Sequence, residues 1–106
     1  MASGVYGKVD VTSATTWTEV VAAPTTGNTK VVTLNVCNRS GAALTVRIAL
    51  AATAGAVANG DEIEYDVSIP ANGVLERTGI VLSESNGLHI YASATGVSAV
   101  AYGLDG

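Results

Sequence analysis

The chain has 106 residues, enough for one domain with a core that needs neither disulfides nor metals to hold it. Ala, Val, Gly and Thr make up more than half of it, Phe is absent, and charged residues are 13% of the total, well below the usual ~25%. The net charge of −4 and the lack of any run of Lys or Arg exclude nucleic acid and anionic membranes as expected partners, because both need a basic face.

Met1–Lys8 has no basic region followed by an apolar run, so no signal peptide is expected there. Val5, Lys8, Val9, Asp10 and Val11 alternate loosely and predict a short strand over 4–11, with residues 1–8 able to extend as an arm. Thr16–Ala22 predicts a second strand, with Trp17 on the face opposite Thr18, and Pro24–Thr29 a loop. Lys30–Leu50 is the clearest stretch. Val32, Leu34 and Val36 alternate with Thr33, Asn35 and Cys37, and Leu44, Val46, Ile48 and Leu50 with Thr45, Arg47 and Ala49. Period two places each apolar set on one face of a strand. The turn formers Asn38-Arg39-Ser40-Gly41 between them predict a β-hairpin.

Ala51–Gly60 is rich in Ala but broken by Gly55 and ended by Asn59-Gly60, which predicts a loop with room for one helical turn. Over Glu62–Ile69 the alternation predicts Ile63, Tyr65, Val67 and Ile69 inward, and Glu62, Glu64, Asp66 and Ser68 outward. Pro70-Ala71-Asn72-Gly73 reads as a turn, and Val74–Ser83 as a strand in which Gly79 marks a bulge or close approach. Asn86-Gly87 is a further hairpin signal before Leu88–Ser93 and Val97–Tyr102, which close the fold around Ala94-Thr95-Gly96.

About eight short strands at this spacing predict a single all-β domain, an antiparallel β-sandwich of Ig-like or jelly-roll-like type. The uncharged, apolar-looking run Ile48–Gly60 is rich in Ala and Gly and shorter than the ~18 residues of a membrane helix, so a soluble chain is expected. Charge divides unevenly. Residues 1–53 hold Lys8, Lys30, Arg39 and Arg47 against Asp10 and Glu19, while all remaining acids except those two lie beyond residue 53 with Arg77 as the one cation. A surface of Thr, Ser, Ala and Gly is poorly protected against association, so coverage by partners is expected.

Lys30–Leu50 and Ile69–Leu82, taken with Tyr91-Ala92-Ser93-Ala94-Thr95 and Val100-Ala101-Tyr102-Gly103, resemble small β-sandwich structural proteins of tailed-bacteriophage virions. Those proteins decorate heads or attach to tails and necks. The resemblance spans roughly residues 30–103. It implies a non-enzymatic role in the virion as a head decoration (cement) module or, alternatively, as a tail, neck or baseplate component. The implied partners are the major capsid protein or other virion proteins and further copies of the chain, in a homo-oligomer such as a trimer. A carbohydrate- or receptor-binding β-sandwich is the alternative of a different class.

No cofactor, metal ligand set or catalytic residue is expected. Asp61, Glu62, Glu64 and Asp66 offer carboxylates for calcium, but a straight strand does not bend around an ion as a calcium loop does, so a solvated or partner-facing row is expected. His89, the one histidine, lies on the strand face opposite Leu88 and Ile90 and lacks a nucleophile motif, which predicts a surface or interface histidine. The lone Cys37 reads as a small buried hydrophobe. Of the aromatics, Tyr65 reads as core and Trp17 as partly exposed. Tyr6, Trp17, Glu62, Glu64, Asp66 and His89 are the interface candidates.

Overall fold

A computed structural model describes residues 2–105, Ala2 by its backbone alone. Eight strands follow one another: β1 (Ala2–Val11), β2 (Trp17–Val21), β3 (Lys30–Asn38), β4 (Leu44–Ala51), β5 (Glu62–Ile69), β6 (Val74–Leu82), β7 (Gly87–Ala92) and β8 (Val97–Asp105). The only other regular element among the described residues is one 3₁₀ turn, Ala54–Ala56, between β4 and β5. Alternating Val, Ile, Leu and Thr without Phe explains strands of this kind, since β-branched chains pack well on a half-buried pleat.

The strands form two four-stranded antiparallel sheets, β1-β8-β3-β6 and β2-β7-β4-β5. β1 pairs with β8, β2 with β7, β3 with β6 and β4 with β5. This nested pairing is that of one long hairpin rolled up, the jelly roll. It settles the two sandwich types allowed by the sequence in favour of the second.

The same topology overturns the predicted 30–50 hairpin. β3 lies in the first sheet and β4 in the second, so the two strands face each other across the core without pairing. The cause is Asn38. Its side chain is fully buried, with Nδ2 donating to the carbonyls of Ala42 (2.9 Å), Ile69 (3.1 Å) and Pro70 (3.1 Å). Its Oδ1 accepts from the Ser40 amide (2.9 Å) and hydroxyl (2.7 Å). A residue read as a turn former instead ties the β3–β4 crossover to the end of β5. Asn86-Gly87 likewise joins strands of different sheets, and β4–β5 is the sole consecutive pair within one sheet. Residues 2–8, which the sequence allowed as an arm, belong to β1 and pair with β8; Met1 lies outside the described residues.

The core between the sheets is Val, Leu, Ile and Ala, including Val32, Leu34, Val36, Val46, Ile48, Leu88 and Ile90, all essentially inaccessible. Small residues permit close approach at its margins. A Cβ at Gly103 would stand 2.0 Å from the Val31 carbonyl oxygen, and one at Gly7 2.0 Å from that of Val20. Gly79 has φ +70° beside a register shift between β3 and β6, the bulge expected there.

Candidate functional site

Register places the outward side chains of the first sheet in rows, apart from Thr78 in the β6 bulge. Ser3, Leu104, Val31 and Val81 lie side by side across β1, β8, β3 and β6. Val5, Tyr102 and Thr33 form the next row, then Lys8, Val100, Asn35 and Glu76, then Asp10, Ser98, Cys37 and Val74. Val5 (61% exposed), Val31 (44%), Val81 (56%), Tyr102 (39%) and Leu104 (44%) are therefore neighbours, and they make one end of this face an open apolar patch. Exposed apolar side chains grouped in this way mark contact surfaces, whereas scattered ones do not. Lys8 and Glu76 stand at opposite edges of the row beside the patch, and Tyr102 donates its hydroxyl to Glu76 (3.3 Å). A shallow depression by Lys8, Val9, Asp10, Ser98 and Val100 adjoins them. Cys37 is half-buried on this outer face, not in the core.

The outer face of the second sheet carries a different row. Trp17 of β2 stands opposite Tyr91 of β7, and Tyr91 opposite Arg47 of β4. The Trp17 and Tyr91 rings lie 5.4 Å apart at 52°. The Arg47 guanidinium lies over the rings of both Tyr91 (4.6 Å) and Tyr65 (4.2 Å), a favourable stacking for a delocalised cation. Arg47 also donates Nε to Asp66 Oδ1 (2.7 Å). That hydrogen bond, reinforced by the opposite charge, holds the Asp66 carboxyl below its ordinary range and the Arg47 guanidinium above its own, against a smaller opposing effect of burial.

Bulges in β5 explain why the predicted facing of this strand fails. Val67 pairs with Val46 but Glu64 with Ile48, so β5 carries an extra residue, and Asp66 takes φ +52° there. A second shift lies between the Glu64 and Glu62 pairings. The alternation is thereby reset. Tyr65, expected in the core, is 59% exposed. Glu62, Glu64 and Asp66, expected as one row, do three separate things. Glu62 accepts the Gly60 amide (3.1 Å), Glu64 pairs with Arg77 Nη1 (2.6 Å), and Asp66 holds Arg47. Glu64 and Arg77 sit on edge strands of different sheets, so their pair bridges the open side of the sandwich.

The remaining candidates are also placed. Tyr6 is the extra residue of a β1 bulge, half-buried against the core with the Lys30 ammonium 5.6 Å above its ring. Trp17 is half-buried in the aromatic row. His89 corrects its prediction: it points away from the core, yet it is wholly buried and offers no surface to a partner. Ala49 and Ala51 are buried on the same side, and the 3₁₀ turn of the β4–β5 connection packs on neighbouring β2. His89 Nε2 donates to the Ala51 carbonyl (2.9 Å), while Nδ1 has no partner among the described residues. No group of three or more His, Cys, Asp or Glu among the described residues is placed to hold a metal ion.

Sequence reasoning missed Val5, Val31, Val81, Leu104 and Lys8 on one face and Arg47 and Tyr91 on the other. The available signal was parity. Val31 and Val81 occupy positions where the alternation of Val32 and Leu82 calls for polar residues. No protein-family model matches the chain, and no curated protein matches it.

Proposed function

We propose that this chain is a non-enzymatic structural protein of a tailed-bacteriophage virion, a head decoration (cement) protein that binds the shell and other copies of itself. A tail, neck or baseplate position is the nearest alternative. The observation that carries the reading is the apolar patch of Val5, Val31, Val81, Tyr102 and Leu104 on a sheet face with few charges. Such a face favours association through grouped apolar side chains. The resemblance over residues 30–103 supplies the class of particle. Jelly rolls serve capsids and lectins alike, so the fold by itself favours neither. The test is quantitative mass spectrometry of purified particles. Copy numbers on the scale of the major shell protein support the head, far lower ones support the tail or neck, and absence from particles refutes the reading.

The row of Trp17, Tyr91, Arg47 and Tyr65 favours a second reading, a carbohydrate- or receptor-binding module, because aromatic rings grouped on a sheet face, with Tyr65 exposed, can stack on sugars. Glycan-array binding that is lost in Tyr65→Ala would support it, and an array without signal would remove it.

A further inference from the structure

We infer that the outer face of the first sheet is a two-fold, face-to-face contact between two copies of this chain. The inference rests on the self-association in the reading above and names its surface and geometry.

The argument starts from how charge is distributed on the face. Its outward rows contain three charged residues: Lys8 on β1, Glu76 on β6 and Asp10 on β1. Asp10 is already paired with Arg39. Lys8 is exposed and has no ion pair among the described residues, and Glu76 is exposed with only the Tyr102 hydroxyl. Lys8 and Glu76 share one row and sit on opposite edge strands, equally far from the line between β8 and β3. A two-fold axis along that line lays β1 of one copy over β6 of the other, and β8 over β3. Lys8 then meets the partner's Glu76, and Glu76 the partner's Lys8, so one operation forms two ion pairs. The same operation sets Leu104 over the partner's Val31 and Tyr102 over the partner's Thr33. It brings no two like charges together. An isologous contact requires such self-complementarity, and a basic edge opposite an acidic edge supplies it.

Size and spacing agree. Packed sheets lie ~10 Å apart, a gap that a lysine and a glutamate reaching toward each other can close. Four strands at ~4.8 Å and nine residues at ~3.3 Å give a face of about 19 by 30 Å. Two such faces cover about 1,100 Å², at the lower end of specific interfaces. A weak, concentration-dependent dimer follows, of the kind that many copies on one particle reinforce.

The register makes the test specific. Within one copy, positions 8 and 76 are separated by three strand spacings, about 14 Å, farther than the ~10 Å between facing sheets. Lys8→Cys/Glu76→Cys in a Cys37→Ser background should therefore be joined between copies by a thiol-specific cross-linker whose span matches ~10 Å, and give a covalent dimer on denaturing gels. Lys8→Cys/Cys37→Ser alone should stay a monomer on denaturing gels. By sedimentation, Lys8→Glu and Glu76→Lys should each weaken the dimer by about tenfold, and the double reversal should restore it. A monomer at all concentrations up to about 1 mM overturns the inference, as does a trimer, or a double reversal that fails to rescue. Particle binding by a chain that stays monomeric would also overturn it, while leaving the virion reading in place.

Discussion

Asn38→Ala removes five hydrogen-bond contacts from the β3–β4 crossover, three of them sharing two amide protons, and their worth can be estimated. The Ala42 carbonyl keeps the Ser40 hydroxyl (2.8 Å), and the Pro70 carbonyl keeps the Gly73 amide (2.8 Å). The Ile69 carbonyl and the Ser40 amide lose the Asn38 side chain. The two amide protons and the two accepted bonds are worth at most ~4 kcal/mol at ~1 kcal/mol net each, and the two carbonyls that keep a donor bring the loss to about 3 kcal/mol. That is a large part of a typical domain's stability of ~5–15 kcal/mol. The expected fall in Tm is about 12–24 °C, at ~4–8 °C per kcal/mol for a domain of this size. Equilibrium urea unfolding measures it directly, as a lower midpoint at unchanged slope. Asn38→Asp discriminates between packing and hydrogen bonding. It keeps the shape but replaces the buried donor with a charged acceptor facing three carbonyls, so it should cost at least as much as alanine. A loss below ~1 kcal/mol for both variants would refute the claim that this side chain holds the crossover together.

Three further outcomes are expected. Gly103→Ala drives a methyl into the Val31 carbonyl and should cost at least ~3 kcal/mol or abolish folding, which circular dichroism would show; a native-like melt would contradict the packing of β8 on β3. Arg47 depresses the Asp66 carboxyl, so its contribution is present above the ordinary carboxylate range and is lost as pH falls through the lowered folded value. The stability gap between wild type and Asp66→Asn should accordingly be constant near neutrality and shrink in acid, and a gap unchanged down to about pH 2 would refute the linkage. Chelator should leave Tm unchanged, since Glu62, Glu64 and Asp66 are engaged separately; a drop of several degrees would restore calcium to the acidic segment.

Strand content was legible because period two is a local signal, and Val32, Leu34, Val46 and Ile48 fell on core faces where the alternation put them. Pairing was not local. Asn38-Arg39-Ser40-Gly41 carries the composition of a hairpin turn, and only the Ile69 and Pro70 carbonyls, some thirty residues away, turn it into a crossover. Bulges were the second blind spot. A single residue in left-handed conformation at Asp66 reversed the facing of Tyr65 and broke up the acidic row, and nothing in Glu-Tyr-Asp-Val announces a positive φ. His89 followed its strand parity faithfully, but a connection packing nearby decides burial independently of parity. The two candidate faces stayed hidden because each draws its residues from four strands, and adjacency across strands depends on a register that no short window contains.

The nested pairing has a consequence for the order of assembly. β8 is an interior strand of the first sheet, lodged between β1 and β3, and every bond that unites those two strands passes through it. Until residues 97–105 have been synthesised, β1 has no partner in its own sheet, and the β3-β6 pair presents an unzipped edge of Val and Leu. Closing the first sheet joins segments almost a full chain length apart, the slowest kind of contact to find. During that interval the nascent chain exposes edges capable of pairing with a neighbour's strands. A protein produced in quantity on this plan therefore benefits from rapid completion of its final strand, and damage confined to 97–105 should turn up as insoluble material instead of as a weakened fold.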